Sequence, residues 1–116
     1  MKHTESLRQN YAFRRLYAKG KSAAASNIVL YTNKNRGTNS RLGITVSTKV
    51  GNAVCRNKIR RRLKEIYRLH ESTLKPGQDI VIVARVRSKD ASYRTLTHDF
   101  TRLCEKLYLT HAPKER

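Results

Sequence analysis

A chain of 116 residues with 26 Lys and Arg against 8 Asp and Glu carries a formal net charge of +18. That length suits one apolar core and little else, and that charge far exceeds what solubility requires, so a polyanionic partner is implied, nucleic acid first. No apolar run approaches the roughly 18 residues that cross a bilayer, and Met1 to Asn10 lacks the apolar stretch of a signal peptide, so a soluble cytoplasmic protein away from membranes is expected.

The first predicted element is a short helix in NYAFRRLYAKG, where Phe13, Leu16 and Tyr17 recur at helical spacing. Asn10 is placed to cap its start and Gly20 to end it in the left-handed conformation. NIVLYT (27–32) and RLGITVS (41–47) read as strands, and the turn-rich NKNRGTNS between them suggests a hairpin with a long polar loop. In the second strand Leu42, Ile44 and Val46 share one face, and Gly43, Thr45 and Ser47 the other. A basic helix follows, then the turn KPGQD, then IVIVARV, a nearly continuous apolar run that suits a buried central strand. YRTLTHDFTRLCEKLYL places Leu96, Phe100, Leu103, Cys104, Leu107 and Tyr108 on one stripe of a closing helix. The predicted order is α-β-β-α-β-α: an α+β domain spanning 1–116, with a small mixed sheet of three to four strands packed against three helices and with flexible ends at 1–6 and 110–116.

The basic helix carries most of the functional signal. Between Arg56 and Lys64 it has six cations and no acid. Ile59, Leu63 and Ile66, with Cys55 and Tyr67 beside them, form the stripe that faces the sheet. Asn57, Arg61, Lys64 and Arg68, at i, i+4, i+7 and i+11, line up on the opposite face. A face left in water ordinarily mixes signs to gain i,i+4 pairs; here Arg60, Arg61, Arg62 and Lys64 repel one another, with only Glu65 close by. Asn52 supplies an N-cap, and Gly51 permits close backbone approach, so the helix start is suited to hold a phosphate. Residues 1–50 hold ten Lys and Arg and a single acid, Glu5, which places the basic surface mainly in the first two thirds of the chain.

Hydrolysis of a phosphodiester by the protein itself needs an acid/base pair or carboxylates clustered around divalent ions. The acids are few and scattered, and His98-Asp99, the one adjacent His/acid pair, would diverge on a helix. No catalytic residue and no metal ligand is therefore assigned. Cys55 and Cys104 lack partners at metal-ligand spacing and read as reduced packing residues.

KVGNAVCRNKIRRRLKE, Lys49 to Glu65, resembles the signature of the protein subunit of bacterial ribonuclease P, a Gly-Asn-Ala-Val turn followed by Arg-Asn-Arg/Lys and a basic helix. The likeness extends to NYAFRRLYAKGKSAAASNIVLYT and to DIVIVAR with the closing helix, about residues 5–109. Arg62 departs from an apolar position of the family, and Lys64 stands where Arg is common, which weakens a bidentate phosphate fork there. The resemblance implies a left-handed β-α-β crossover around the basic helix and a protein that assists a catalytic RNA in removing the 5′ leader of precursor tRNA. Catalysis then belongs to the RNA, which also holds most of the magnesium ions, and no obligate protein partner is evident.

By the same resemblance Arg56, Asn57, Arg61 and Lys64 match the helix that contacts the catalytic RNA; Lys58, Arg60 and Arg68 cannot be carried over this way and are expected to bind that RNA as cations of the same helix. Phe13, Tyr17 and Tyr31 match the aromatic positions of a groove for the single-stranded leader. Unpaired bases stack on aromatic rings beside a basic track, although aromatics one turn apart on a short helix are more commonly core. The competing assignment is a small ribosomal or ribosome-assembly protein, equally basic, for which neither the long signature nor the aromatic trio is needed. A nuclear-localisation reading of KIRRR fits poorly inside an amphipathic helix.

Overall fold

The computed structural model describes residues 3–111. Its elements are β1 (Thr4–Ser6), α1 (Asn10–Lys19), β2 (Lys21–Ala24), β3 (Ile28–Lys34), β4 (Ser40–Val46), α2 (Ala53–His70), β5 (Gln78–Ala84) and α3 (Tyr93–Lys106), with short 3-10 turns at Thr48–Val50, Glu71–Thr73 and Val86–Asp90.

The five strands form one mixed sheet in the order β1-β4-β5-β3-β2. IVIV in β5 is apolar on both faces, and such a strand is stable only when flanked and covered on both sides; it takes the central place. It pairs parallel with β4, through the crossover that contains α2, and antiparallel with β3. β3 and β4 are therefore not the predicted hairpin, because β5 lies between them. The strand count also exceeds the expected three to four. β2 lacks β-branched residues and is held by its antiparallel pairing with β3. The three residues of β1 pair parallel with Ser40–Leu42, so Thr4–Ser6 is not a free end. Thr4 ties it further, meeting the Tyr67 hydroxyl at 2.9 Å and donating to the Glu71 carboxylate. At the other terminus Thr110 bridges to Leu74, and the His111 N–H donates to the Thr73 carbonyl; residues 1–2 and 112–116 of the expected flexible ends lie outside the described residues.

Strand alternation separates two cores. Ile28, Leu30, Leu42, Val46, Ile80 and Ile82 face α2 and α3, where Ile59, Leu63, Ile66, Tyr67, Leu96 and Phe100 close over them. On the other face α1 sets Ala12 and Leu16 on Val81, with Leu7, Phe13, Tyr31 and Val83 around them. The apolar stripe of α2 is as the periodicity predicts, and the Asn52 side chain caps it by accepting the Cys55 N–H at 2.9 Å.

Three local expectations are corrected. Asn10 is the first residue of α1, and Gln9, at the cap position, makes no side-chain cap. Gly20 has φ −75° and so is not left-handed; what requires glycine there is crowding, since a Cβ would lie 2.6 Å from the Leu16 carbonyl oxygen and 2.9 Å from that of Thr32. Tyr108 falls beyond the end of α3, at φ 58° and 77% exposed, outside the core stripe.

Candidate nucleic-acid interface

On the α1 face the strand register lays residues out in rows. Gly43, Val81 and Tyr31 form one row, and Thr45, Val83 and Val29 the next. α1 covers the first row and leaves the second half-buried, so a strip of sheet opens along the flank of the helix. Phe13 and Tyr17, one turn apart, project over its edge. The three predicted aromatics meet there: Tyr17 packs edge-on against Tyr31 with centroids 4.9 Å apart, and Phe13 lies 6.5 Å from Tyr17. Tyr17 is 42% exposed and Tyr31 and Phe13 are half-buried, which leaves ring surface available for stacking. The Tyr17 hydroxyl reaches the Thr45 hydroxyl at 3.3 Å across the strip. Thr45 is a groove residue that sequence reasoning missed. Gly43 is another: with no side chain it admits the Phe13 ring, and a lone glycine inside an alternating strand is the signal that could have exposed it.

The other candidate surface lies beyond the sheet, on the outer face of α2. Asn57, Lys58, Arg60, Arg61, Lys64 and Arg68 are exposed and Arg56 is half-buried. Arg60 donates to the Asn57 amide oxygen at 3.2 Å, which aligns the two side chains. Arg68 differs from the rest, because its guanidinium forks onto Glu65 at 2.6 and 3.1 Å. That contact holds Glu65 below the usual carboxylate range. Arg62 leans the other way, towards the Ala91 carbonyl at 3.5 Å. Among the described residues the ion pairs are Arg68–Glu65 and Arg41–Asp79, so Arg56, Lys58, Arg60, Arg61 and Lys64 present unneutralised charge. Val54, 78% exposed, stands at the head of this face.

The remaining ionisable residues have structural places. His98 is exposed, whereas Asp99 is buried and accepts from the Asn27 backbone and side-chain N–H groups at 3.2 and 2.9 Å, so the pair diverges. Burial, with the Glu105 charge second, pushes the Cys104 thiol up to about 12. Cys55 is half-buried, and both cysteines are free. No helix of the described residues is long and apolar enough to cross a membrane.

A family model described as ribonuclease P matches residues 1–108. The ribonuclease P protein component of Clostridioides difficile (strain 630) is 44% identical over 104 residues, spanning 89% of this chain and 91% of that protein. Its counterpart in Clostridium novyi (strain NT) is 44% identical over 108 residues, spanning 91% and 96%. Among solved structures, the RNase P protein of Staphylococcus aureus superposes with a TM-score of 0.84 at 34% identity, covering 91% of this chain and 97% of that one. The Thermotoga maritima RNase P protein gives 0.77 at 31% identity, covering 84% and 93%.

Proposed function

The chain belongs to the ribonuclease P protein family, whose role is in tRNA processing with a partner RNA subunit, and from that premise we propose that its two surfaces divide the work. The outer face of α2 docks on the catalytic RNA, whose phosphates stand in fixed positions suited to cations on a rigid helix. The groove of Phe13, Tyr17 and Tyr31 holds the single-stranded 5′ leader of precursor tRNA.

The observation that carries this reading is the placement of α1 and α2 on opposite faces of one sheet. Two RNA segments can be held at once without competing for side chains. The groove supplies ring surface and a hydroxyl, which suit unpaired bases. The helix supplies charge without rings, which suits a folded RNA backbone.

Cleavage itself belongs, in this proposal, to the RNA. Magnesium ions are held mainly by the RNA phosphates in this proposal, and no step is routed through this protein's carboxylates. The protein's part is to bind the leader and offset phosphate repulsion, so that substrate is held at lower salt. Residence in the cytoplasm, where tRNA precursors are processed in bacteria, belongs to the same proposal. The ribosomal alternative is not favoured, since every relative described above is a ribonuclease P protein.

Reconstitution tests it. At low magnesium, adding the protein to its catalytic RNA raises the rate of precursor tRNA cleavage, and the RNA-free protein cleaves nothing. Cleavage by the RNA-free protein, or no change in rate on its addition, contradicts the proposal.

A further inference from the structure

The groove occupies one flank of α1, and the other flank carries a second concavity that the proposed function does not use. A cavity of about 300 Å³ lies between the first turns of α1, the end of β3 and the loop that follows it. Its floor is the third row of the sheet, in which Asn33, Asp79 and Arg41 are in register. Arg41 forks onto Asp79 at 2.8 and 2.5 Å, and the Asn35 amide donates to the same carboxylate at 3.0 Å. The one acid of the lining is thereby neutralised. Arg15, Lys34 and Arg36 remain around the cavity as cations without an ion pair among the described residues.

The loop that carries Arg36 is held in shape. The Asn35 side chain accepts the Gly37 N–H at 2.8 Å and donates to the Asn39 carbonyl at 3.0 Å, and its backbone N–H donates to the Gly77 carbonyl at 2.8 Å. The wall is therefore preformed. At the rim Tyr11 is 61% exposed and makes no ring–ring contact among the described residues. Asn33, half-buried in the floor, has a side-chain amide with no protein partner among the described residues.

We propose that this cavity binds one nucleotide unit, with the base stacked on Tyr11, the phosphate between Arg15, Lys34 and Arg36, and the Asn33 amide on the base edge. A free ring, clustered cations and an unpartnered amide around one small space match the parts of a nucleotide: π-face, anion and hydrogen-bonding edge. A bare anion needs no ring, and an apolar ligand needs no cations. The inference goes beyond the leader groove, since the cavity shares no side chain with it. The nucleotide can come from an RNA strand that passes the second flank of α1 or from the free pool.

Amide chemical shifts of the ¹⁵N-labelled full chain distinguish these sources, with a single-stranded hexauridylate for the strand and uridine 5′-monophosphate for the free nucleotide. Inorganic phosphate is the control. The expected result is that at least one of the two probes shifts Asn33, Gly37 and the Asn35 side-chain amide, and whichever does identifies the source. Followed at those three amides, Tyr11→Ala weakens that binding by about fivefold or more, the low end for losing one stacked ring, and Arg36→Ala weakens it as well. Both substituted residues are exposed, so their melting temperatures should stay close to the parent. Shifts by neither probe, shifts matched by inorganic phosphate alone, or affinities unaltered by both substitutions overturn the proposal. None of these outcomes touches the leader groove, whose own test uses Tyr17.

Discussion

The Phe13 ring lies against the bare backbone of Gly43: a Cβ on that glycine would meet Phe13 Cζ at 2.6 Å and Cε1 at 2.7 Å. A strand glycine is ordinarily a small loss of stability, and replacing it with alanine a small gain. Here the contact decides the sign, because the ring forms one wall of the groove, packed in the same core cluster as Leu7, Leu16 and Val81.

Gly43→Ala should therefore lower stability by about 1–3 kcal/mol, the range for adding a methylene to a packed site, and weaken leader binding by displacing Phe13. Denaturant unfolding measures the first effect. In a Phe13→Ala background the same substitution should be neutral or stabilising, and that non-additivity identifies the ring as the cause.

Arg61 is exposed on the outer face of α2, two positions from the fully buried Leu63. Arg61→Ala should weaken assembly with the catalytic RNA by about 1–3 kcal/mol and make the log–log salt slope shallower by about one unit, with folding nearly unaltered. Leu63→Ala should do the reverse, costing about 2–5 kcal/mol of folding stability through the cavity left under the helix. Salt titrations and melting curves on the two variants, run together, check both faces of one helix.

Cys104 should make alkaline stability pH-dependent. Its thiol titrates near 9.0 when freed and is pushed up to about 12 in the fold. The folded state thus keeps a proton that the unfolded state gives up, so this contribution is complete below pH 9 and is lost as pH rises towards 12. Cys104→Ala should begin less stable because of its cavity, yet its stability should fall more gently above pH 9, by about 1 kcal/mol per pH unit. Unfolding curves under reducing conditions from pH 8 to 10.5 measure the slope. Burial of Tyr67 raises its phenol in the same direction, so a residual slope should persist in the variant.

How much of this was legible along the chain follows from the range over which each feature is determined. The stripe of Ile59, Leu63 and Ile66, the Asn52 cap and the free face opposite them are all local to α2, where periodicity alone carries them. The meeting of Phe13 and Tyr17 with Tyr31 came through the family likeness, and the register of β3 explains it. What stayed hidden is non-local. β5 enters between β3 and β4 although nothing near either strand announces it, and two consecutive strands read by default as neighbours. β2 has no strand signal of its own and exists because β3 offers an edge. The Tyr11 cavity draws on α1, the loop after β3 and the Arg41–Asp79 pair, three segments that only the folded sheet brings together.

The central claim is that the aromatic groove holds the leader and nothing else of the substrate. Two RNAs that differ only in the 5′ leader, bound to the assembled holoenzyme carrying either the parent protein or Tyr17→Ala, test it most directly, with a melting curve for each protein. The groove predicts a loss of about 1–2 kcal/mol for the leader-bearing RNA alone, with leaderless binding, subunit assembly and melting temperature nearly unaltered. An equal loss for both RNAs together with a lowered melting temperature would show that Tyr17 is a core residue and that the leader is held elsewhere.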